Sequence, residues 1–195
     1  MNRFPWLVLL ALVALATLPA CRNDDDAPPI DTELVAYLSE ARAFHHVANL
    51  AEDGGDLEKA ANALDRLVAA RRPHPERKAA EIEEVLADAY ARLAELRLKD
   101  ALKDVKRKGS AASLVSADDA VARGLEHAPE PTYFRGHLLE VRGLLEESRA
   151  ATFADAGKPQ DSKQASDKAV HLFEEVVKIQ DQVIQRSLQS KEAGR

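Results

Sequence analysis

Apolar residues recur every three to four positions along most of this 195-residue chain, and glycines and prolines interrupt the pattern at a few places. This spacing places apolar side chains on one face of an α-helix, whereas a half-buried β-strand would alternate apolar and polar residues. Alanine and leucine, which both favour helix, are the commonest residues, and aromatic residues make up only 5%. The sequence therefore predicts an all-α fold in one domain.

The breaks divide the helical part into about six segments, which we expect to pair as three antiparallel helical hairpins. Ser116, with Asp119 three residues later, predicts a capping box at the start of the fourth segment. The helical domain should span residues 31–189, followed by a polar tail at 190–195 that we expect to fray. The six segments are expected at about 31–52, 57–71, 76–107, 116–128, 132–154 and 161–187.

Two stretches of the hairpins have a distinctive pattern, residues 55–60 (GDLEKA) in the first hairpin and residues 86–90 (LADAY) in the second. They resemble tetratricopeptide repeats, which are helix–turn–helix units of about 34 residues that stack side by side. The second hairpin exceeds the repeat length by roughly 18 residues, and the third matches mainly through Ala169, Phe173 and Val176. The resemblance implies repeat-like stacking, and an irregular antiparallel bundle with Ala and Leu seams is the alternative.

Residues 1–20 have the pattern of a signal peptide. Residues 6–18 are thirteen uncharged residues, which is short for a bilayer span of about 17–25 residues but suits the apolar part of a signal. The segment ends in Leu18, Pro19, Ala20 and the only cysteine, Cys21. It resembles a bacterial lipoprotein signal peptide, and the alternative is an ordinary signal or uncleaved anchor with an incidental cysteine.

The lipoprotein resemblance implies that Cys21 becomes the lipidated and acylated first residue of the mature chain. Because Arg22 rather than aspartate follows it, the resemblance also implies attachment to the outer membrane, facing the periplasm. The next residues, up to position 30, are acidic and contain two prolines, so we expect an extended tether between the lipid anchor and the helical domain.

Composition and motifs exclude several kinds of chemistry. A net charge of −6 argues against nucleic acid as a partner, and a single cysteine excludes an intrachain disulfide or a cysteine zinc site. The chain contains no glycine-rich phosphate loop, no GxSxG and no HExxH motif. We therefore predict no enzymatic activity, no cofactor and no metal site.

Two candidate contact surfaces remain. One is a basic run on the third segment, which could contact anionic headgroups or an acidic partner, or could simply complement a helix C-terminus. It comprises Arg97, Lys99, Lys103, Lys106, Arg107 and Lys108. The other follows from the repeat resemblance, which implies a binding groove lined by the first helix of each unit. Carried over to this chain, the groove would expose Tyr37, His45, Asn49, Asp88, Arg92 and Glu95.

These observations predict a lipid-anchored protein–protein interaction module, acting as an adaptor or assembly factor in the cell envelope with an envelope protein as its partner. The alternative is a structural or stress-related helical bundle of the envelope that has no discrete binding groove. A continuous face with exposed aromatic residues would favour the adaptor, whereas a closed bundle would favour the structural role.

Overall fold

The computed structural model describes residues 30–76, 78–108, 114–128 and 131–193. These residues form six α-helices and contain no β-strand, which confirms the predicted all-α fold. The helices are α1 (Thr32–Asp53), α2 (Leu57–Ala69), α3 (Ala80–Lys108), α4 (Val115–His127), α5 (Tyr133–Asp155) and α6 (Pro159–Ala193). They pack pairwise as three helical hairpins, α1 with α2, α3 with α4, and α5 with α6.

The turn of the first hairpin follows from its glycines. Gly55 has a φ of +78°, a conformation that glycine adopts without a steric penalty. Its amide donates to the Glu52 carbonyl at 2.8 Å, and the Asp56 amide donates to the Ala51 carbonyl at 2.9 Å. Asp56 then caps α2 by accepting a hydrogen bond from the Lys59 amide at 2.9 Å.

Several helix ends differ from the prediction by one to six residues. α3 begins at Ala80 rather than near 76, since two prolines and His74, with a φ of +48°, keep the preceding segment out of helix. The predicted capping box is wrong: α4 begins one residue before Ser116, and its N-cap is Leu114, which makes no side-chain cap bond. α6 extends to Ala193 rather than ending near 187, because its Ser, Gln, Lys and Glu residues are compatible with continued helix, and fraying of the tail stays a prediction.

The three hairpins are packed in chain order. α3 contacts α1 and α2 of the first hairpin, and both α3 and α4 contact α5 of the third. Among the described helices, no Cα atom of α1 or α2 lies within 8 Å of one in α5 or α6. The second hairpin therefore lies between the other two, in a linear order rather than a closed ring of helices.

α5 and α6 have the most extensive contact of any helix pair. They approach closely at Gly143, where a Cβ atom would lie 2.5 Å from the ring of Phe173, so the ring occupies the space that a side chain would need. Gly136, seven residues earlier, lies on the same side of α5. A Cβ atom there would make only an ordinary 3.6 Å contact with Ile179.

This difference predicts opposite effects for two identical substitutions. Gly143→Ala should destabilise the fold by about 1–3 kcal/mol, because the new methyl group displaces Phe173 from a packed position. Gly136→Ala should leave the stability unchanged or raise it by up to about 1 kcal/mol, because alanine favours helix and space is available. Urea unfolding followed by circular dichroism measures both. Equal effects of the two substitutions would contradict the packing described here.

Candidate interaction face

Polar side chains from the first helix of each hairpin meet on one side of the molecule. Their contacts cross from α1 to α3 and from α3 to α5. We call this set the first-helix ladder. Its members are His45, Asn49, Glu52, Asp88, Arg92, Glu95, Lys99 and His137.

Arg92 joins α3 to α1. Its guanidinium donates to the Glu52 carboxylate at 3.0 Å and also to the side-chain oxygen of Asn49. Asp88 lies one turn before Arg92 on α3, and its carboxylate is 3.6 Å from the Nε2 atom of His45 on α1. The two contacts hold α1 and α3 in a defined register, because residues spaced by four lie on one helix face.

Lys99 extends the ladder along α3. Its ammonium group contacts the Glu52 carboxylate at 2.8 Å and the Glu95 carboxylate at 2.8 Å. Glu95 in turn lies 3.8 Å from the Nε2 atom of His137 on α5. A path of polar contacts therefore connects all three hairpins.

The electrostatic environment of the ladder differs between its members. A hydrogen bond from Lys99, together with the charges of Lys99 and Arg92, lowers the pKa of Glu52 despite partial burial. The hydrogen bond with Glu52 raises the pKa of Lys99. Burial lowers the pKa of His45, and Asp88 offsets only part of that effect. About a quarter of each partner in the Arg92–Glu52 pair is exposed, so we expect the pair to contribute on the order of 1 kcal/mol.

Five of the six residues predicted for the groove belong to the ladder, but Tyr37 does not. The expectation that Tyr37 is exposed is wrong, since only 4% of it is accessible and it packs with Ile82 and Leu86. Tyr37 precedes the buried Ala41 by four residues, so it lies on the buried face of α1. That face is next to the side of α1 that carries His45 and Asn49.

Three members of the ladder were not predicted as groove residues. Glu52 lies seven residues after His45, and Lys99 lies seven after Arg92, so helical periodicity could have placed both on the face. Lys99 was instead assigned to the basic run. His137 carries no such signal, because its contact with Glu95 depends on how α5 packs against α3.

Part of the predicted basic run forms contacts between neighbouring helices. Arg97 donates to the Asp65 carboxylate on α2 at 2.7 Å and to the Ser116 carbonyl on α4 at 3.2 Å, whereas Lys99 belongs to the ladder. Lys103 is exposed. The side chains of Lys106, Arg107 and Lys108 lie outside the described residues, as do Leu18, Pro19, Ala20 and Cys21 of the predicted lipoprotein signal.

α5 adds exposed apolar surface to the same face. Tyr133, one turn before His137, is 68% exposed, and its ring centroid lies 6.3 Å from that of His137. Leu144, seven residues after His137, is 38% exposed. The face, which we call the first-helix face, therefore combines a paired polar strip with an exposed aromatic and an aliphatic side chain.

Metal-binding clusters and membrane-spanning helices are absent from the part of the chain that the structure describes. Within these residues, no three His, Cys, Asp or Glu side chains are placed to hold a metal ion. In the same ranges, no helix combines the length and apolar character that a bilayer span requires. No protein-family model, curated protein or solved structure matches the chain.

The lowered pKa of His45 predicts a pH dependence of stability. Below pH 6.5, its ordinary pKa, the unfolded chain binds the proton more readily than the folded chain does. Neutral His45 therefore makes its full contribution to the free energy of unfolding above that pH, and this contribution is lost as the pH falls through the folded-state pKa. His45→Gln should lose less stability than the wild type between about pH 7.5 and about pH 5.5.

Urea unfolding at the two pH values measures this difference. His46→Gln is the matched control, because His46 is an exposed neighbour on the same helix, and it should keep the wild-type pH dependence. If His45→Gln and the wild type lost the same stability on acidification, the assignment of His45 to a partly buried contact would be contradicted.

Proposed function

We propose that this chain is a lipid-anchored interaction module of the bacterial cell envelope, which binds a partner protein through its first-helix face. The observation that carries the proposal is the continuity of that face across all three hairpins. A surface assembled from three separate hairpins can contact an extended or helical segment of a partner along its length.

The packing order supports this proposal. Since the first and third hairpins do not approach each other, their first helices stay side by side with α3 between them. Repeat proteins that stack in this way offer extended binding surfaces, and the sequence resemblance to tetratricopeptide repeats points in the same direction. A bundle closed into a ring would have buried its central surface instead.

The chemistry of the face suggests what it would bind. Ladder charges are largely paired with one another, so a strongly charged partner would gain little from them. Tyr133 and Leu144 offer exposed apolar contacts, and aromatic side chains are enriched at protein interfaces. We therefore propose a partner segment that combines apolar side chains with hydrogen-bonding groups.

The anchor is proposed from the sequence. A thirteen-residue apolar run that ends at the only cysteine supports lipid attachment at Cys21, and Arg22 supports sorting to the outer membrane. More than one acyl chain is needed for stable anchoring, which a diacylglyceryl group with an acylated amine would provide. The acidic, proline-containing tether would hold the helical domain away from an anionic surface.

A structural role in the envelope is the second candidate. The observation that favours it is the pairing within the ladder, because polar groups that satisfy one another also serve to hold three hairpins together. A structural bundle would use this face only internally. A binding module would in addition hold a specific protein there, and this difference can be measured.

Site-specific photo-crosslinking in living cells tests the proposal. A photoreactive residue replaces Glu84, which is exposed on α3 one turn before Asp88. The matched control replaces Glu58, an exposed glutamate on α2. We expect one discrete adduct from position 84 and several-fold less of it from position 58, because only position 84 lies on the first-helix face.

The same probe in a Cys21→Ser background tests the anchor. We expect a larger, unprocessed precursor without lipid label, because the lipid can no longer be attached. Unchanged size and labelling would contradict lipidation at Cys21.

The crosslinking result in the wild-type background decides between the two roles. Absence of an adduct from position 84, or equal adducts from both positions, would contradict the binding face and favour the structural role.

A further inference from the structure

α6 exposes four large apolar side chains along one side. Val170, Val177, Ile184 and Leu188 are each at least half exposed, with accessible fractions of 57%, 56%, 55% and 50%. Their spacing of seven, seven and four residues places them on one helix face. We call this line of residues the α6 stripe.

The stripe residues lie outside the contact between α5 and α6. α6 packs on α5 through a different side, whose buried residues include Ala165, Ala169, Val176 and Ile179. Among the described helices, none covers the stripe. Helices at the end of a stacked array normally present a polar outer face, so a line of exposed Val, Ile and Leu requires an explanation.

The stripe continues into a depression between α5 and α6. This depression has a volume of about 270 Å³ and is lined on α6 by Ile179, Val183 and Ile184, and on α5 by Tyr133 and Gly136 among others. Because Ile184 belongs to both, the stripe and the depression form one apolar surface. A side chain from a helix lying along the stripe could enter the depression.

Acidic residues alternate with the apolar ones on the same face. Glu174 follows Val170 by four residues and Asp181 follows Val177 by four, so each lies between two apolar members of the stripe. No ion pair joins either carboxylate to another described residue. The exposed Lys178 follows Val177 by one residue, so it lies about 100° around the helix from the stripe, at the edge of the face. The face therefore carries two unpaired negative charges among its apolar side chains.

This charge pattern disfavours a second copy of the chain as the occupant. A parallel pairing of two α6 helices would bring Glu174 against Glu174 and Asp181 against Asp181. An antiparallel pairing centred between Val177 and Lys178 would bring Glu174 against Asp181. Either arrangement places like charges in contact at a desolvated interface, which is costly. An anionic membrane surface is disfavoured by the same repulsion.

We propose that the α6 stripe binds an amphipathic helix of another protein, in which apolar residues alternate with lysine or arginine at spacings of three and four. Such a helix matches the apolar positions with apolar side chains and places a cation opposite Glu174 and Asp181. The inference goes beyond the proposed function and rests on it only for the lipid anchor used in the test. The stripe lies on the second helix of the last hairpin and the ladder on the first helices, and Tyr133 and His137 of α5 border both surfaces.

The test uses the full chain in phosphatidylcholine nanodiscs, with empty discs as the background. The probes are two fluorescent 21-residue synthetic helices. One carries leucine and lysine at alternating spacings of three and four, and the other has glutamate in place of each lysine. We expect the lysine peptide to bind on the order of tenfold more tightly, measured by fluorescence anisotropy.

Charge reversal gives the sharper result. In Glu174→Lys/Asp181→Lys the preference should invert, so that the glutamate peptide binds more tightly. Val177→Ser/Ile184→Ser should weaken the binding of the lysine peptide by about tenfold or more, because apolar contact is lost. Val47→Ser is the matched control. Val47 is 43% exposed on α1, away from the stripe, so its replacement should leave the affinity for the lysine peptide unchanged.

Several outcomes would overturn the proposal. Equal binding of the two peptides to the wild-type chain would contradict it. It would also be contradicted if Glu174→Lys/Asp181→Lys kept the helical circular dichroism spectrum of the wild type and still bound the lysine peptide more tightly. Self-association that Ile184→Ser abolishes would identify a second copy as the occupant, and stripe-dependent binding to phosphatidylglycerol discs would identify lipid.

Discussion

The burial of α3 is the constraint on which the rest of the structure depends. α3 contacts four of the five other helices, and it contains more buried apolar residues than any other described helix. Several of these are alanines, among them Ala87, Ala91 and Ala94, whose small side chains let neighbouring helices approach closely. Since α3 is covered on most sides, only a narrow strip of its polar residues reaches solvent between α1 and α5, and Asp88, Arg92 and Glu95 on that strip form the centre of the first-helix face.

The polar contacts of α3 follow from the same arrangement. Three neighbouring helices each place a histidine against one of its carboxylates: His45 of α1 at Asp88, His137 of α5 at Glu95, and His127 of α4 at Glu83, where the distance is 2.9 Å. The ring of His127 also stacks on Tyr90 at 5.7 Å. These contacts give each neighbour a defined register on α3. The proposed binding face is therefore a product of core packing, and its geometry should change wherever that packing changes.

Helical periodicity accounts for what could be predicted from the sequence. The spacing of apolar residues predicted the six helices, because periodicity is a local property, and the short breaks between them predicted their pairing as hairpins. Tyr37 was misplaced because neighbouring stripes on one helix differ by a small rotation that only tertiary contacts determine. The pairing of Arg97 with Asp65 and of His137 with Glu95 depends on which helices become neighbours, which local patterns do not encode. The α6 stripe was missed for a related reason: its valines have helical spacing, but only the packing of α5 shows that they are left exposed.

Native-state hydrogen exchange tests most directly whether α3 holds the three hairpins together. Amides in the middle of α3, around residues 89–96, should exchange only through global unfolding, because opening them requires the release of both flanking hairpins. Amides in the last turn of α6, residues 188–193, should exchange with little protection, since the side chains there are exposed. The account would be contradicted if α3 lost its protection while the α5–α6 hairpin kept its own.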